Sequence, residues 1–227
     1  MADLSILSQS TPNRVVETWH EANYTPRSRL GLSEVGHKCN RYLWYVHHGY
    51  PALQPPGRMI RLFRLGEMIE EQVITDLLTA GFRIHSRQKE KMIENDGIQL
   101  IGHIDGIIGG LLESSKPHLL EIKSSNSKRF NQLLKLNSYE MWSEKYKAQI
   151  HVYMLASKIS RCLVWVENKD SSETYTERIK IDKSYALKVL EKTFNAISSV
   201  STPPRACPKQ DWFEVKMCKF RKICFAS

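Results

Sequence analysis

The spacing of hydrophobic and polar positions changes several times along this chain. Over residues 58–80, Leu62, Leu65, Ile69, Val73 and Leu77 recur at intervals of three and four, which predicts a long helix that Gly81 ends. Upstream, residues 11–23 read as a helix with Thr11 at its N-cap and Pro12 at its first position, and the aromatic stretch 40–48 as another that Gly49 closes. The period then shortens. Residues 82–85, 98–101, 103–108 and 118–123 read as strands, separated by the turn-forming Asn95-Asp96-Gly97, Gly109-Gly110 and Ser115-Lys116-Pro117. Helical spacing returns over 127–136 and 139–158. A strand pair follows, 161–167 and 174–181, around Asn168-Lys169-Asp170, and then a helix over 182–200 capped by Asp182. Thr202-Pro203-Pro204 breaks that helix before a basic tail that carries cysteines. This order of elements predicts an α/β fold with a mixed central β-sheet flanked by helices.

A length of 227 residues suits a single domain, 1–227. Its core is expected at about 58–200, with an N-terminal helical segment, 1–57, and the cysteine-bearing tail, 201–227, packing together. No run of 18 apolar residues is present, so no membrane partner is expected. Residues 1–10 lack the basic start and apolar stretch of a secretory signal. The expected location is therefore the cytoplasm, of a prokaryote or of a phage-infected host cell. The formal charge of +9, from 33 basic and 24 acidic residues, favours a polyanion, because each neutralised phosphate releases condensed counterions. Anionic membranes and acidic proteins attract the same charge. The five cysteines are an odd count with no secretion signal, which argues against a disulfide framework and leaves metal ligation or burial. Cys162, inside a predicted core strand, reads as buried.

Candidate chemistry centres on Gly102-His103-Ile104-Asp105-Gly106, followed 16 residues after Asp105 by Glu121-Ile122-Lys123. Asp105 falls on one predicted strand and Glu121 and Lys123 on the next, where alternation puts both on one face while Ile122 points into the core. If the strands are neighbours, two carboxylates and an ammonium converge, and carboxylate oxygens are hard ligands suited to Mg²⁺ or Mn²⁺. Taken singly, Glu-x-Lys in a strand is usually an exposed ion pair and Asp-Gly usually a turn. Here both lie among strongly apolar neighbours, Ile104, Ile107 and Ile108 on one side and Leu119, Leu120 and Ile122 on the other. A charge so flanked is costly to desolvate unless it is paired or metal-bound.

These residues resemble the Asp…Glu-x-Lys signature of the PD-(D/E)XK nuclease superfamily. Gln149 and Tyr153, four apart on a predicted helix, resemble the Gln-x-x-x-Tyr element of its RecB-like branch. Gly66 to Glu70 is similar to the helical element that supplies a further metal ligand; the family often has His where Glu70 stands, and Glu67 and Glu71 compete for the role. The resemblance implies a restriction-endonuclease-like core that hydrolyses DNA, most often as an exonuclease. It also implies that Glu70, Asp105, Glu121 and the carbonyl of Ile122 hold Mg²⁺ or Mn²⁺, that Lys123 acts on water or the transition state, and that Gln149 and Tyr153 position DNA or support the ligands. The segment Ser33 to Arg41 is similar to the one bearing the first cysteine in iron–sulfur nucleases of this branch, such as the Cas-four and phage-type exonucleases. By that likeness Cys39, Cys207, Cys218 and Cys224 would bind a [4Fe–4S] cluster joining the two ends, or zinc, although Val215 stands where the family's third cysteine is expected.

DNA, single-stranded or at duplex ends, is the expected partner. Ser124 and Ser125, with the helix they open, and Lys128 and Arg129 behind them are candidate contacts. So are Arg58, Arg61 and Arg64, and in the tail Lys216, Lys219, Arg221 and Lys222. Trp44, Tyr45 and Trp142 are candidates for base stacking or for core packing. A catalytically weak DNA-binding subunit of a larger nuclease or recombination complex is the alternative function, and a protein partner or a second copy is allowed by either.

Overall fold

The computed structural model describes residues 11–27 and 29–226; residues 1–10, read above as lacking a secretory signal, lie outside them. Helices α1 (Thr11–Ala22), α2 (Asn40–His47) and α3 (Gly57–Thr79) come first, with a 3-10 turn at Leu32–Glu34. Strands β1 (Arg83–His85), β2 (Lys89–Asn95), β3 (Ile98–Ile104), β4 (Gly106–Gly109) and β5 (His118–Ser125) follow. Helices α4 (Ser127–Leu136), α5 (Tyr139–Trp142) and α6 (Glu144–Ser157) lead to β6 (Arg161–Asn168), β7 (Thr174–Lys180) and α7 (Lys183–Ile197). The tail adds two short helices, α8 (Phe213–Met217) and α9 (Arg221–Cys224). Contacts divide the described residues into two compact units: 29–50 with 69–206, and 11–27 with 51–68 and 207–226. No helix is long and apolar enough to cross a membrane.

The larger unit holds a five-stranded sheet in the order β1-β4-β5-β6-β7. Its pairs are antiparallel except β5–β6, whose parallel pairing requires a long crossover; α4, α5 and α6 supply it. Covered on both faces, β5 is nearly all buried. Leu120 and Ile122 point to one face, where with Ile108 and Leu163 they meet Ile69, Val73, Ile74 and Leu77 of α3. The alternate positions Leu119, Glu121 and Lys123 face the other way, toward α6. From Ala148 to Met154 every residue of α6 is buried, so the polar Gln149 and His151 need partners. His151 Nε2 lies 2.8 Å from Glu140 Oε1 and its Nδ1 accepts the Asp182 N–H at 3.0 Å, which makes Nε2 the protonated nitrogen. The mixed α/β architecture with helices on both faces is the one the sequence pattern predicts.

Four local details differ from the pattern. The strand expected over 103–108 breaks at Asp105, with β3 on one side and β4, in the main sheet, on the other. Strand β2 was not anticipated, because Lys89-Glu90-Lys91 carries charge without alternation. It pairs along its whole length with β3, joined by a two-residue turn in which Asp96 (φ 49°) and Gly97 (φ 76°) are both left-handed, the geometry that suits the twist of a tight hairpin. The helix expected over 139–158 splits at Ser143, which is extended and caps α6 through an Oγ that accepts the Tyr146 N–H. The basic tail, for which the pattern predicts no elements, contains α8 and α9.

In the smaller unit, α1 and the start of α3 approach closely at Gly57. A Cβ there would collide with the backbone of Glu17, while Glu21 Oε1 accepts the Gly57 N–H at 2.7 Å. The Leu53 N–H donates to the Lys219 carbonyl at 2.8 Å, tying the segment before α3 to the tail.

Candidate active site

The antiparallel ladder between β4 and β5 ends at Gly106 opposite Leu120, which brings the bend at Asp105 beside Glu121. The N–H of Ile122 lies just beyond the ladder, and Asp105 Oδ2 accepts it at 2.7 Å. Glu121 is 1% exposed, and its Oε1 receives both the Lys123 ammonium and, at 2.6 Å, the amide of Gln149. From α3, half-buried Glu70 reaches the same region, its Oε1 accepting from Gln88 at 2.6 Å. Its competitors point elsewhere: Glu71 pairs with Arg87, and Glu67 is exposed.

Electrostatics tie these groups together. Burial pushes the Glu70 carboxyl up to about 7, and the charge of Asp105 adds to the shift. Burial likewise raises Glu121 to about 7, opposed by Lys123 and reinforced by Asp105 and Glu70. Asp105 is raised by burial against the pull of Lys123 and the Ile122 N–H. Burial alone would lower Lys123, but Glu121 and Asp105 outweigh it and hold the ammonium above the usual lysine range. As the side chains stand, no three His, Cys, Asp or Glu residues among those described are arranged to hold a metal ion.

Tyr153, 2% exposed, packs on the backbone of β3 at Gly102. A Cβ at Gly102 would fall inside contact distance of Tyr153 Oη and Cε1 and 3.0 Å from Leu32 Cβ. Gly102→Ala should therefore destabilise the fold by about 1–3 kcal/mol, the usual penalty of overpacking. In a urea titration it should cost less in a Tyr153→Phe background, which lacks the nearest colliding atom. Equal costs in both backgrounds would show that the strain is relieved elsewhere.

The other candidates fall into different settings. Ser124 is half-buried; Ser125 is buried, and its Oγ turns to the neighbouring Asn126 carbonyl. The first amides of α4 are engaged: Asp170 accepts the Ser127 N–H at 2.8 Å and Asn126 Oδ1 the Arg129 N–H at 3.0 Å. Two of the donors expected to be open to phosphate there are thus already engaged. Lys128 and Arg129 are exposed on α4, and the Arg129 guanidinium lies over the Trp142 ring, 4.7 Å from its centre. Trp44, Tyr45 and Trp142 are buried; Trp44 Nε1 donates to the Ser199 carbonyl and Trp142 Nε1 to that of Arg129, both at 2.9 Å. Core packing, not base stacking, is their setting. Cys162 is buried in β6 as expected. Cys39 caps the start of α2, its N–H on His37 Nδ1 at 3.1 Å, whereas Cys207, Cys218 and Cys224 are half-buried in the smaller unit. Of the tail cations, Lys216, Arg221 and Lys222 are exposed and Lys219 is half-buried.

Two neighbours of the site carry no signal in the sequence. Gln88 is a polar loop residue at φ 48°, and only the fold shows that it holds Glu70. Tyr146 has the Lys123 ammonium 5.6 Å and the Arg129 guanidinium 6.0 Å from its ring centre.

No protein-family model matches the sequence, and no curated protein does. Solved structures do. A protein named SSO0001 aligns with a TM-score of 0.53 at 16% identity, over 96% of this chain and 98% of that one. An alkaline exonuclease from Laribacter hongkongensis aligns with a TM-score of 0.51 at 16% identity, over 80% of this chain and 91% of that one. At such identity the likeness is one of fold: this chain's fold is similar to that of an exonuclease.

Proposed function

We propose that this chain is a divalent-metal-dependent DNA nuclease of the PD-(D/E)XK superfamily, acting as an exonuclease, with Asp105, Glu121 and Lys123 at its centre. The observation that carries the reading is the balance of charge. Glu70, Asp105 and Glu121 face one ammonium, Lys123, in a largely buried region, and Arg87, the further cation near Glu70, is paired with Glu71. Ionised together they leave two negative charges that Lys123 does not neutralise. Hard oxygen donors with that surplus suit Mg²⁺ or Mn²⁺, so the donor set fits the ion even though Lys123 now occupies Glu121.

Glu70, Asp105, Glu121 and the carbonyl of Ile122 would hold the ion. When bound, it would acidify water and offset charge on the reacting phosphate. Lys123, displaced from Glu121, donates to the attacking water or to the phosphate oxygens as negative charge builds on them. Gln149 fixes the orientation of Glu121 through its amide, and the Ile122 N–H does the same for Asp105. Tyr153 acts from behind, keeping α6 seated on β3. Arg129, held over the Trp142 ring, offers its planar donors to a neighbouring phosphate of the strand, with Lys128 and Ser124 near it in sequence.

The pairing of Gln149 with Glu121 and of Tyr153 with Gly102 supports the RecB-like branch. The proposal does not extend to a [4Fe–4S] cluster on Cys39, Cys207, Cys218 and Cys224, since Val215 stands where the third cysteine of the expected spacing would be. One observation favours a weak DNA-binding subunit instead: the ammonium of Lys123 closes on Glu121, and the carboxylates are not ordered around a common centre. End-labelled single- and double-stranded DNA incubated with Mg²⁺, Mn²⁺ or EDTA separates the two. The nuclease reading expects cleavage that needs the metal and disappears in Asp105→Asn. DNA binding without cleavage under any metal would leave the binding subunit.

A further inference from the structure

Within the smaller unit, α1 and the first half of α3 border an open groove of about 500 Å³ lined by His20, Arg58, Arg61, Leu62, Arg64, Leu65 and Met68. Its cations fall at intervals of three along α3 and so form one stripe, about 9 Å long at 1.5 Å per residue. Like charges three apart on a helix repel; the next position at this interval is the exposed Glu67, which forms no ion pair with Arg64 among the described residues. Here none of the three arginines is paired with a carboxylate among the described residues, and Glu21, on α1 beside the start of α3, is engaged by the Gly57 N–H. All three arginines are exposed. Below them the floor is apolar, with Leu65 40% and Met68 67% exposed.

We infer that this groove binds the phosphodiester backbone of a single nucleic-acid strand. Guanidinium groups present flat, forked donors that match phosphate oxygens. An apolar floor beside a row of cations is the arrangement that lets bases pack while the backbone is neutralised. The groove has the volume of a small-ligand pocket, which admits a segment of one strand but not a duplex. The identity of the polyanion rests on the nuclease reading; the groove itself is independent of the catalytic carboxylates.

The test is the triple variant Arg58→Gln, Arg61→Gln, Arg64→Gln, with binding of a fluorescein-labelled oligo-dT followed by anisotropy in EDTA across a salt series. Three lost phosphate contacts should make the slope of log affinity against log salt shallower by about 2, at roughly 0.7 per contact for single strands. At low salt, affinity should fall at least tenfold, with the thermal midpoint not lowered, because the three side chains are exposed and their mutual repulsion is removed. An unchanged slope and affinity would overturn the inference. So would vesicles of phosphatidylserine that bind the wild-type chain and not the variant while oligo-dT binding is equal, an outcome that assigns the groove to a membrane. A wild-type chain that shows the arginine-dependent slope but never cleaves DNA would sustain the groove and remove the nuclease reading.

Discussion

Lys123→Met is expected to lower the rate of DNA hydrolysis at saturating Mn²⁺ by about 10²–10³-fold, the usual loss when one preorganised electrostatic partner of the transition state is removed. The side chain plays two parts that the experiment must separate. In the absence of a divalent ion it neutralises Glu121, which is 1% exposed and otherwise has, among the described residues, only the Gln149 amide. Removing the ammonium pushes the Glu121 carboxyl further above about 7, and that alone weakens metal binding at neutral pH. Raising the pH to 8.5 and saturating with Mn²⁺ restores the ionised carboxylate, so any deficit left in a single-turnover rate belongs to the chemical step. Lys123→Arg should recover little of it, since a planar fork does not replace a compact ammonium in a buried setting. A Met variant within tenfold of wild type under those conditions would mean that Lys123 serves only as the counter-ion of Glu121.

The second large effect is one of pH. Glu70 and Glu121 both titrate near 7, raised chiefly by burial and reinforced by neighbouring negative charge. A carboxyl whose pKa is higher in the folded than in the unfolded chain contributes stability that is present below its unfolded value and is lost as pH rises through the folded one. Without metal, these two groups therefore favour the folded state in mild acid and oppose it above pH 7. A divalent ion takes the ionised forms and reverses this. Where both carboxyls must lose a proton, affinity for Mn²⁺ should be about a hundredfold weaker at pH 6 than at pH 8. Titration calorimetry measures this directly, and the rise in thermal midpoint on adding Mn²⁺ should be large at pH 8 and nearly absent at pH 5.5. Affinity that changed less than threefold across this interval would exclude these carboxyls as the ligands.

The elements legible in the sequence are those whose burial is periodic. Leu62 to Leu77 gave α3, and the apolar runs around Leu119 and Val164 gave the central strands, because each is packed along its length by a fixed neighbour. The charged β2 was invisible: its pairing with β3 is held by backbone bonds that leave no mark on side-chain type. The bend at Asp105 was hidden for a related reason, since Ile104 and Gly106 are both buried although they belong to different sheets. Ser143 interrupts a stretch whose apolar spacing continues through it, so only its extended backbone reveals two helices. At the site, Glu121 and Lys123 were readable as one face of a strand and Gln149 as a helix residue above it. That Glu70, and not Glu67 or Glu71, turns inward depends on the rotation of α3 over the sheet. The link from Gln88 depends on a loop conformation, and neither is written in local pattern.

The parallel pairing of β5 with β6 has a consequence for the order in which the protein forms. Glu121 lies opposite Val164, and the crossover between them contains the helix that carries Gln149. Closing so long a loop costs chain entropy before any contact across it returns stability. A chain that has left the ribosome only as far as Ser125 already contains Asp105, Glu121 and Lys123, yet it lacks both the strand that shields β5 and the amide that orients its carboxylate. On the nuclease reading, cutting power should thus appear late and all at once during synthesis, with β6 in place, so that a half-made chain would not act on nearby DNA.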